Sequence, residues 1–315
     1  MYIKRHAEQP LRTILAGDKV GIILGARQVG KTTLVEHVLA DQGPGQGAVF
    51  LNLDIEVDKA RFRAAATLAP ADGLRSLGNP AVLAIDEAQR LPEAARIIKG
   101  CHDARLPAKL LLLGSSSLNL LDQAAESLTG RNRKLVLPPL LFSETLATQV
   151  WAGAQAAPEH LCAHFAPQLR AFLMQRLAFG SYPEVVTSDR PAQLLRDLSS
   201  DYLVFFWDTG IRNALLNAFS SEEFRPDIGA LWESWFIAEV AKRNALLGSP
   251  GELFFWRTRA QSEVDLVVKQ GSGLRAFEVK WSPRRVSGRA FRDAYGVAVE
   301  PVGPENPFVL DLIEE

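Results

Sequence analysis

The sequence predicts an α/β protein in which a parallel β-sheet with helices on both faces is followed by a helical linker region and a small second α/β domain. Short apolar runs alternate with helical stretches through the first part of the chain, which is typical of a parallel sheet covered on both faces. This alternation stops near Pro138, and residues 143–207 have mostly helical patterns. Strand patterns return after a last long helix. The predicted domain bounds are 1–145, 146–207 and 208–315.

Four segments are predicted strands of the first sheet. Each is short and apolar, as buried parallel strands are. Their predicted bounds are Val20–Leu24, Ala48–Leu53, Ala81–Ile85 and Lys109–Leu113. In the last region, a predicted helix from Ala230 to Arg243 leads to three more strands. Their predicted bounds are Leu253–Trp256, Val264–Val268 and Leu274–Val279.

Composition and charge are those of an ordinary globular protein. Of the 315 residues, 47% are hydrophobic and 23% are charged, which is usual for soluble domains. The net charge of −1 gives no attraction of the whole chain to nucleic acid or membrane. Two distant cysteines imply no disulfide framework, no apolar run reaches the ~20 residues of a membrane helix, and no signal peptide is visible. We therefore expect a cytoplasmic protein.

A glycine-containing loop follows the first predicted strand and precedes a helix. Its residues 25–32, Gly-Ala-Arg-Gln-Val-Gly-Lys-Thr, match G-x-x-x-x-G-K-[ST] at every fixed position. Gly25 and Gly30 let backbone N–H groups approach phosphate oxygens. Lys31 can reach the β- and γ-phosphates, and the Thr32 hydroxyl can ligate Mg²⁺. The pattern predicts a P-loop that binds Mg-ATP. Its residues are Gly25, Ala26, Arg27, Gln28, Val29, Gly30, Lys31, Thr32 and Thr33.

An acidic pair, Asp86 and Glu87, ends the third predicted strand. Downstream of a complete phosphate loop, such a pair is typical of the Walker B motif. Asp86 is predicted to hold the Mg²⁺ ion, through water. Glu87 is predicted to polarise the attacking water as a general base.

Two further residues are candidates for catalytic roles, each with a structural alternative. Ser115 follows the fourth predicted strand. Its hydroxyl either senses the γ-phosphate or caps the next helix. Arg131 either acts as an arginine finger, in its own or a neighbouring subunit, or has a surface role.

The last two predicted strands form a hairpin in which charged and apolar residues alternate. Gly271-Ser272-Gly273 supplies the turn. Because side chains alternate between the faces of a strand, Asp265, Glu278 and Lys280 are expected to share one face. The apolar side chains expected on the other face are Val264, Leu266, Val268, Phe277 and Val279.

This arrangement of charges has the pattern of the PD-(D/E)XK nuclease core. In that core two carboxylates hold a divalent metal, and a lysine assists phosphodiester cleavage. Glu233 adds a carboxylate on an apolar helix stripe, which a metal or a salt bridge would explain. We predict a second divalent-metal site formed by Glu233, Asp265, Glu278 and Lys280. The alternatives are a nuclease-like fold without cleavage and an exposed charged hairpin.

Arginines surround this cluster in the sequence, with Trp256 and Trp281 between them. They either bind phosphates of nucleic acid or form a solvated face. The arginines are Arg257, Arg259, Arg284, Arg285, Arg289 and Arg292.

Short motifs follow one another in a recognisable order along nearly the whole chain. After the phosphate loop come NLD (52–54), IDEAQ (85–89), LGSSS (113–117), LTGR (128–131), PPLLFSE (138–144), GSYPEVV (180–186), FFWDTGIRNAL (205–215), GALWE (229–233), FWRT (255–258), EVDLV (263–267) and FEVKW (277–281). This set resembles the predicted prokaryotic ATPases of the AAA superfamily that carry a C-terminal domain of uncharacterised function. The resemblance implies an AAA-type ATPase domain, then helices, then a restriction-endonuclease-like domain. It implies the same ATP and nuclease-like residues that the motifs indicate.

One segment departs from the family pattern. Family members usually carry a winged helix before the FWDTG motif, whereas here Asp201-Tyr202-Leu203 runs almost directly into Phe205. The expected absence of the winged helix argues against sequence-specific DNA binding.

The leading hypothesis is an ATPase that couples Mg-ATP binding and hydrolysis to the arrangement of a nuclease-like C-terminal domain. One alternative is a metal-dependent nuclease regulated by ATP. Another is a nucleotide-dependent binding switch that does not hydrolyse ATP. Candidate partners are ATP, nucleic acid and further copies of the chain, and no membrane is expected.

Overall fold

The structure is a computed structural model of the chain. It describes residues 2–41, 47–91, 94–114, 128–153, 157–200, 207–220, 225, 227–247, 251–258, 262–282 and 288–308, with the backbone alone at 196–200. Two compact units contain these residues, Met1–Pro138 and Pro139–Glu315. The three predicted domains and their bounds stay a prediction. The segment from which the winged helix is expected to be missing (201–206) lies outside the described residues.

A five-stranded parallel sheet forms the centre of the first unit. Its strand order is β2-β3-β4-β1-β5, and every neighbouring pair is parallel. The strands are β1 (Val20–Leu24), β2 (Ala48–Asn52), β3 (Val82–Asp86), β4 (Lys109–Gly114) and β5 (Asn132–Val136). The four predicted strands are confirmed, each end lying within one residue of the prediction. The sequence did not indicate β5, because this edge strand carries exposed charged residues instead of an apolar run.

Helices cover both faces of this sheet, as the sequence predicts. They are α1 (Glu8–Ala16), α2 (Lys31–Ala40), α3 (Glu56–Ala66), α4 (Pro70–Ser76) and α5 (Ala94–Asp103). On one face, Ile22 of β1 belongs to a buried cluster with Phe62 of α3 and Ile98 of α5. On the other face, a side chain at Gly21 would collide with Ile14 of α1. The predicted α/β class with a doubly covered parallel sheet is therefore confirmed.

A smaller mixed sheet lies in the second unit. Its order is β6-β7-β8-β9, with antiparallel pairing from β6 to β8 and parallel pairing of β8 with β9. The strands are β6 (Glu252–Arg257), β7 (Glu263–Gln270), β8 (Gly273–Val279) and β9 (Val299–Val302). The helices of this unit are α6 (Phe142–Leu146), α7 (Pro158–His164), α8 (Ala166–Phe179), α9 (Pro183–Thr187), α10 (Pro191–Ser200), α11 (Thr209–Leu215), α12 (Ile228–Leu246) and α13 (Arg289–Tyr295).

The helical region and the small sheet share one hydrophobic core. Trp235 and Phe236 of α12 lie in a buried cluster with Phe172 of α8 and Phe277 of β8. A separate cluster includes Phe291 of α13 and apolar residues of β7 and β8. The small sheet therefore packs its apolar residues into two clusters, one of which includes the helices that precede it.

Two of the family motifs meet in a buried hydrogen-bond network. One carboxylate oxygen of Asp208 accepts hydrogen bonds from the Gly210 and Ile211 N–H groups at the start of α11. Its other oxygen accepts one from the Ser181 N–H, 2.5 Å away. The Asn213 amide donates to the carbonyl of Leu177, at the end of α8. These residues of the GSYPEVV and FFWDTGIRNAL motifs therefore fasten α11 to the end of α8.

Within the described part of the chain, no helix combines the length and the apolar character that crossing a membrane requires.

Candidate functional site

The glycine loop between β1 and α2 has a conformation that leaves backbone N–H groups available. A side-chain carbon at Gly25 would lie 2.5 Å from the Leu137 carbonyl oxygen, so only glycine fits there. Gln28 (φ 58°) and Gly30 (φ 92°) adopt left-handed conformations, which turn successive N–H groups toward one concavity. Among the described side chains, none caps the first turn of α2. An anion at this position would satisfy those N–H groups.

Lys31 lies across this loop with its side chain almost fully buried, at 6% exposure. Its ammonium donates hydrogen bonds to the Gly25 and Ala26 carbonyls at 3.1 and 2.9 Å. Burial lowers the pKa of Lys31 below its ordinary value, while the carboxylates of Glu87 and Asp86 act in the opposite direction. The predicted lysine and the two predicted acids therefore form one electrostatic cluster.

The structure brings Thr32 and Asp86 into direct contact. The Thr32 hydroxyl donates to a carboxylate oxygen of Asp86 at 2.5 Å. β4 lies between β1 and β3 in the sheet, so the first turn of α2 spans the gap. The other Asp86 oxygen accepts from the Glu87 N–H at 2.8 Å. A hydroxyl and a carboxylate placed together fit the oxygen ligands that Mg²⁺ prefers.

Glu87 begins a short 3₁₀ turn directly after β3. Its backbone is left-handed, with φ at 51°, and its side chain is half-buried. The Gln89 amide donates a hydrogen bond to its carboxylate. Gln89 therefore holds the side chain that the sequence predicts as the general base.

Of the two other catalytic candidates, Ser115 and Arg131, the structure describes only Arg131. β4 ends at Gly114, whose carbonyl accepts a hydrogen bond from the Gly25 N–H. Ser115 itself lies outside the described residues. Arg131 precedes β5, and its carbonyl accepts from the Val20 N–H at the amino end of β1.

Arg131 is thus at the end of the sheet opposite the phosphate loop, about 15 Å away along a five-residue strand. Its guanidinium donates to Asp103 at 2.8 Å. The structure does not bring Arg131 to its own phosphate loop. A role in the site of a neighbouring subunit stays a prediction.

Arg5 is a residue of this site that no sequence motif indicated. Its side chain is buried, and its guanidinium donates to the Val29 carbonyl at 3.1 Å and to the Pro138 carbonyl at 2.7 Å. Val29 belongs to the phosphate loop, whereas Pro138 is the last residue of the first unit. A lone arginine near the start of a chain carries no local pattern, so only the tertiary structure shows this role.

We expect Arg5→Ala to weaken ATP binding about tenfold, because a charged donor would no longer hold the Val29 carbonyl and its loop. Titration with a fluorescent ATP analogue would measure the change. Arg12→Ala is the matched control, since the ion pair that Arg12 forms with Asp41 is exposed. Equal affinities of the two variants would show that Arg5 does not position the loop.

The charged residues of the second predicted site also meet, around Lys280. Its ammonium lies 3.4 Å from an Asp265 oxygen and 3.3 Å from a Glu278 oxygen. The same Asp265 oxygen accepts a hydrogen bond from the Val279 N–H at 2.7 Å. The predicted proximity of these three side chains is therefore observed in the structure.

A β-bulge explains the position of Asp265. Phe254 pairs with Val267 and Trp256 pairs with Val264, so one residue of β6 opposes two residues of β7. Such a bulge re-aims a side chain. The prediction that Val264 shares a face with Leu266 and Val268 is wrong: Val264 packs with Val267, because the extra residue reverses the alternation.

Glu233 of α12 is electrostatically coupled to this cluster. Burial raises the pKa of Glu233 above its ordinary value, and the Asp265 carboxylate raises it further, while Lys280 acts in the opposite direction. Within the described ranges, no group of three or more acidic, histidine or cysteine side chains is arranged to hold a metal ion. The second metal site therefore has no support from these residues.

We expect Glu233→Gln to raise the melting temperature at neutral pH. There the folded state holds a disfavoured charge that the amide lacks. As the pH falls through the raised pKa, Glu233 becomes protonated in the folded state and the advantage of the variant shrinks. Below the ordinary glutamate pKa of about 4.3 it vanishes. Thermal melts across this pH range would check it, with the exposed Glu184→Gln as control; equal melts of both variants at neutral pH would contradict it.

The described arginines near this cluster fit a solvated face, and the tryptophans fit a hydrophobic core. Arg257 lies 3.9 Å from Glu263, and Arg289 lies 3.7 Å from Asp293. Trp281 contacts the buried Trp232 ring. Arg259, Arg284 and Arg285 lie outside the described residues.

Sheet order and site geometry together define the first unit. A parallel sheet of order β2-β3-β4-β1-β5, with a phosphate loop after β1 and an acidic residue at the end of β3, is a P-loop nucleotide-binding fold of the AAA type. Residues 17–146 match the family described as an AAA domain. Residues 228–310 match the family described as Domain of unknown function (DUF4143). Successive parts of the chain thus match an AAA domain and DUF4143, as the resemblance implies, whereas the restriction-endonuclease-like core stays a prediction.

Curated relatives match over most of the chain. Uncharacterized protein Rv2008c of Mycobacterium tuberculosis is 26% identical over 356 residues, covering 92% of this chain and 77% of the relative. Uncharacterized protein MJ1544 of Methanocaldococcus jannaschii is 24% identical, covering 66% of this chain and 48% of the relative. Because 356 exceeds the 315 residues of this chain, the mycobacterial relative contains residues that this chain lacks.

Two solved structures show distant similarity. The Aeropyrum pernix ORC1 protein, solved in complex with DNA, has 14% identity and a TM-score of 0.37, covering 86% of this chain and 90% of that one. The Pif1 helicase of Candida albicans has 13% identity and a TM-score of 0.32, covering 66% and 50%. The assignment above depends on the sheet order, the contacts at the loop and the family match, and not on these structures.

Proposed function

We propose that this chain is a cytoplasmic ATPase that hydrolyses Mg-ATP in its first unit and uses the nucleotide state to control its second unit. The observation that carries the proposal is the 2.5 Å contact between the Thr32 hydroxyl and Asp86, beside the buried Lys31. These three groups come from two separate strand ends. Their convergence supports a site for a triphosphate and its metal ion.

The residues of the site have separate tasks in the proposed reaction. When bound, Mg²⁺ would be held by Thr32 and Asp86 and would supply positive charge to the phosphates. Lys31 binds the β- and γ-phosphate oxygens in place of the two loop carbonyls. Glu87 takes a proton from the water whose oxygen attacks the γ-phosphorus, and ADP leaves. Gln89 orients the carboxylate of Glu87 for this transfer.

Coupling to the second unit would act through the chain segment that connects the phosphate loop's neighbours to that unit. The Leu137 N–H donates to the Leu24 carbonyl just before the phosphate loop, and the Leu137 carbonyl oxygen faces Gly25. Pro138 accepts the Arg5 hydrogen bond and is the last residue of the first unit. A movement of the loop on nucleotide binding would therefore act on the residues that enter the second unit.

A second candidate function is cleavage of nucleic acid by the second unit under ATP control. The contacts of Lys280 with Asp265 and Glu278 favour it, since a nuclease core places these groups together. A closed ion triad with no cleavage activity uses the same contacts. Nucleic acid is accordingly a proposed partner only.

One assay separates these functions. Phosphate release from purified wild-type protein is measured with Mg²⁺ and with a chelator, alone and with single- or double-stranded DNA and RNA. We expect Mg²⁺-dependent release, and stimulation by one polymer would identify the target class. Cleavage of a polymer would establish the second candidate. Tight ATP binding without release under any condition would replace the ATPase with a nucleotide-dependent binding switch.

A further inference from the structure

A cavity of about 180 Å³ lies in the first unit between α3, α4 and α5. Its inner wall contains Phe62 of α3, Leu74 of α4 and Leu83 of β3, which are all buried. Leu77 and Ile97 also belong to this wall. Among the described residues that line the cavity, none belongs to the phosphate loop or to the acidic pair. The cavity is therefore separate from the nucleotide site.

Close packing on one side and open space on the other define this cavity. α4 touches α3 at Gly73, where an added side-chain carbon would lie 2.5 Å from the Ala65 carbonyl oxygen. At Gly100 of α5, an added carbon would meet nothing within 4 Å. Protein interiors are packed closely and contain few voids larger than a water molecule. The space beside Gly100 is thus larger than ordinary packing leaves.

The lining of the cavity favours an apolar ligand. Among the described lining residues, Cys101 and Arg96 have polar side chains, whereas the others are apolar or glycine. An ordered water needs about two to four polar partners, which these side chains do not supply in the interior. An engineered apolar cavity of about 150 Å³ binds benzene. This cavity therefore has room for an aromatic ring or a branched chain of similar size.

The cavity reaches the surface at a rim that carries a positive charge. Leu68 is 47% exposed, and Pro70, Arg96 and Gly100 are exposed as well. In the described part of the chain, no carboxylate forms an ion pair with the Arg96 guanidinium. A negative charge on a ligand would complement this cation at the rim.

We propose that the cavity between α3, α4 and α5 binds a small carboxylate with an apolar body, either an aromatic ring or a branched chain. The body packs against Phe62, Leu77 and Leu83, and the carboxylate lies at the rim beside Arg96. Removal of the apolar body from water supplies most of the binding free energy. The exposed ion pair adds little, so the dissociation constant is on the order of 1 mM. This inference does not depend on the ATPase activity.

Three probes with a similar body and different charges test the proposal. They are phenylacetate, toluene and phenethylamine, and ligand-observed NMR of the full chain without nucleotide measures each dissociation constant. We expect phenylacetate to bind about threefold more tightly than toluene, because an exposed ion pair contributes little. Phenethylamine should bind most weakly, since its ammonium would lie beside a guanidinium. Arg96→Gln should remove these differences while toluene still binds.

Gly100→Leu tests the location of the site. The leucine side chain would fill the space beside α5, and we expect at least a tenfold loss of affinity for phenylacetate. Leucine favours a helix more than glycine does, so the variant should stay folded, which thermal melts would check. The matched control is Gly229→Leu, because Gly229 is also an exposed helical glycine with nothing within 4 Å of an added carbon. We expect this control to bind phenylacetate as wild type does.

The Cys101 thiol provides a second measurement at the cavity wall. Phenylacetate should slow the alkylation of Cys101 by iodoacetamide and leave that of Cys162, in the second unit, unchanged. Mass spectrometry of the two cysteine peptides measures both rates. Failure of all three probes to bind overturns the site. Equal affinities of Gly100→Leu and Gly229→Leu, or equal protection of both cysteines, overturn its location. Equal affinities of phenylacetate and toluene for the wild type overturn the role of Arg96.

Discussion

Glu87→Gln is expected to reduce phosphate release at least a hundredfold while leaving ATP binding intact. Glutamine has nearly the same shape as glutamate, but its amide cannot accept the proton of the attacking water. General-base catalysis of this kind contributes about 10²- to 10⁴-fold to a rate. Binding should persist because Lys31, Thr32 and the backbone N–H groups are unchanged. Phosphate release and equilibrium binding of ATP are measured on the same protein.

Lys31→Ala should act at the earlier step and remove ATP binding itself. The matched control is Lys109→Ala, because the Lys109 ammonium also donates to two backbone carbonyls, those of Gly17 and Lys19. Lys109 lies at the amino end of β4, away from the phosphate loop. Wild-type turnover in Glu87→Gln would show that Glu87 is not the base. Loss of binding in both lysine variants would show a general effect on folding.

Gly180→Ala is expected to cause the largest loss of stability, about 3 kcal/mol or more. An added side-chain carbon would overlap the Asp208 carboxylate, at only 1.8 Å from its oxygen. The backbone of Gly180 is also left-handed, with φ at 67°, which other residues adopt only at a cost of about 1–3 kcal/mol. The carboxylate cannot move without losing its hydrogen bonds to α11. Urea unfolding of the purified variant measures the change.

A control for this prediction lies in the same unit. Gly271 has a similar φ of 58° with nothing within 4 Å of an added carbon. Gly271→Ala therefore reports the backbone term alone, about 1 kcal/mol. Comparison with an Asp208→Ala background adds a second measurement, in which Gly180→Ala should be much less harmful. Equal losses for Gly180→Ala and Gly271→Ala would show that the close approach to Asp208 does not matter.

The C-terminal cluster was only partly predictable from the sequence. The sequence predicted that Asp265, Glu278 and Lys280 lie together, and they do. It also predicted strict alternation along β7, and the bulge opposite Phe255 breaks that alternation. A bulge adds one residue to one strand without a signal in that strand's own pattern. Only the register with β6 reveals it.

Local patterns in the sequence determined β1 to β4, the phosphate loop and the acidic pair of the first unit. Their hydrophobic runs and fixed spacings act within a few residues, so one sequence is enough to identify them. The tertiary structure alone decided that Thr32 touches Asp86, that Arg5 supports the loop and that Arg131 lies at the opposite end of the sheet. Those relations join residues that are far apart in the sequence. They depend on strand order and register, which no local pattern carries.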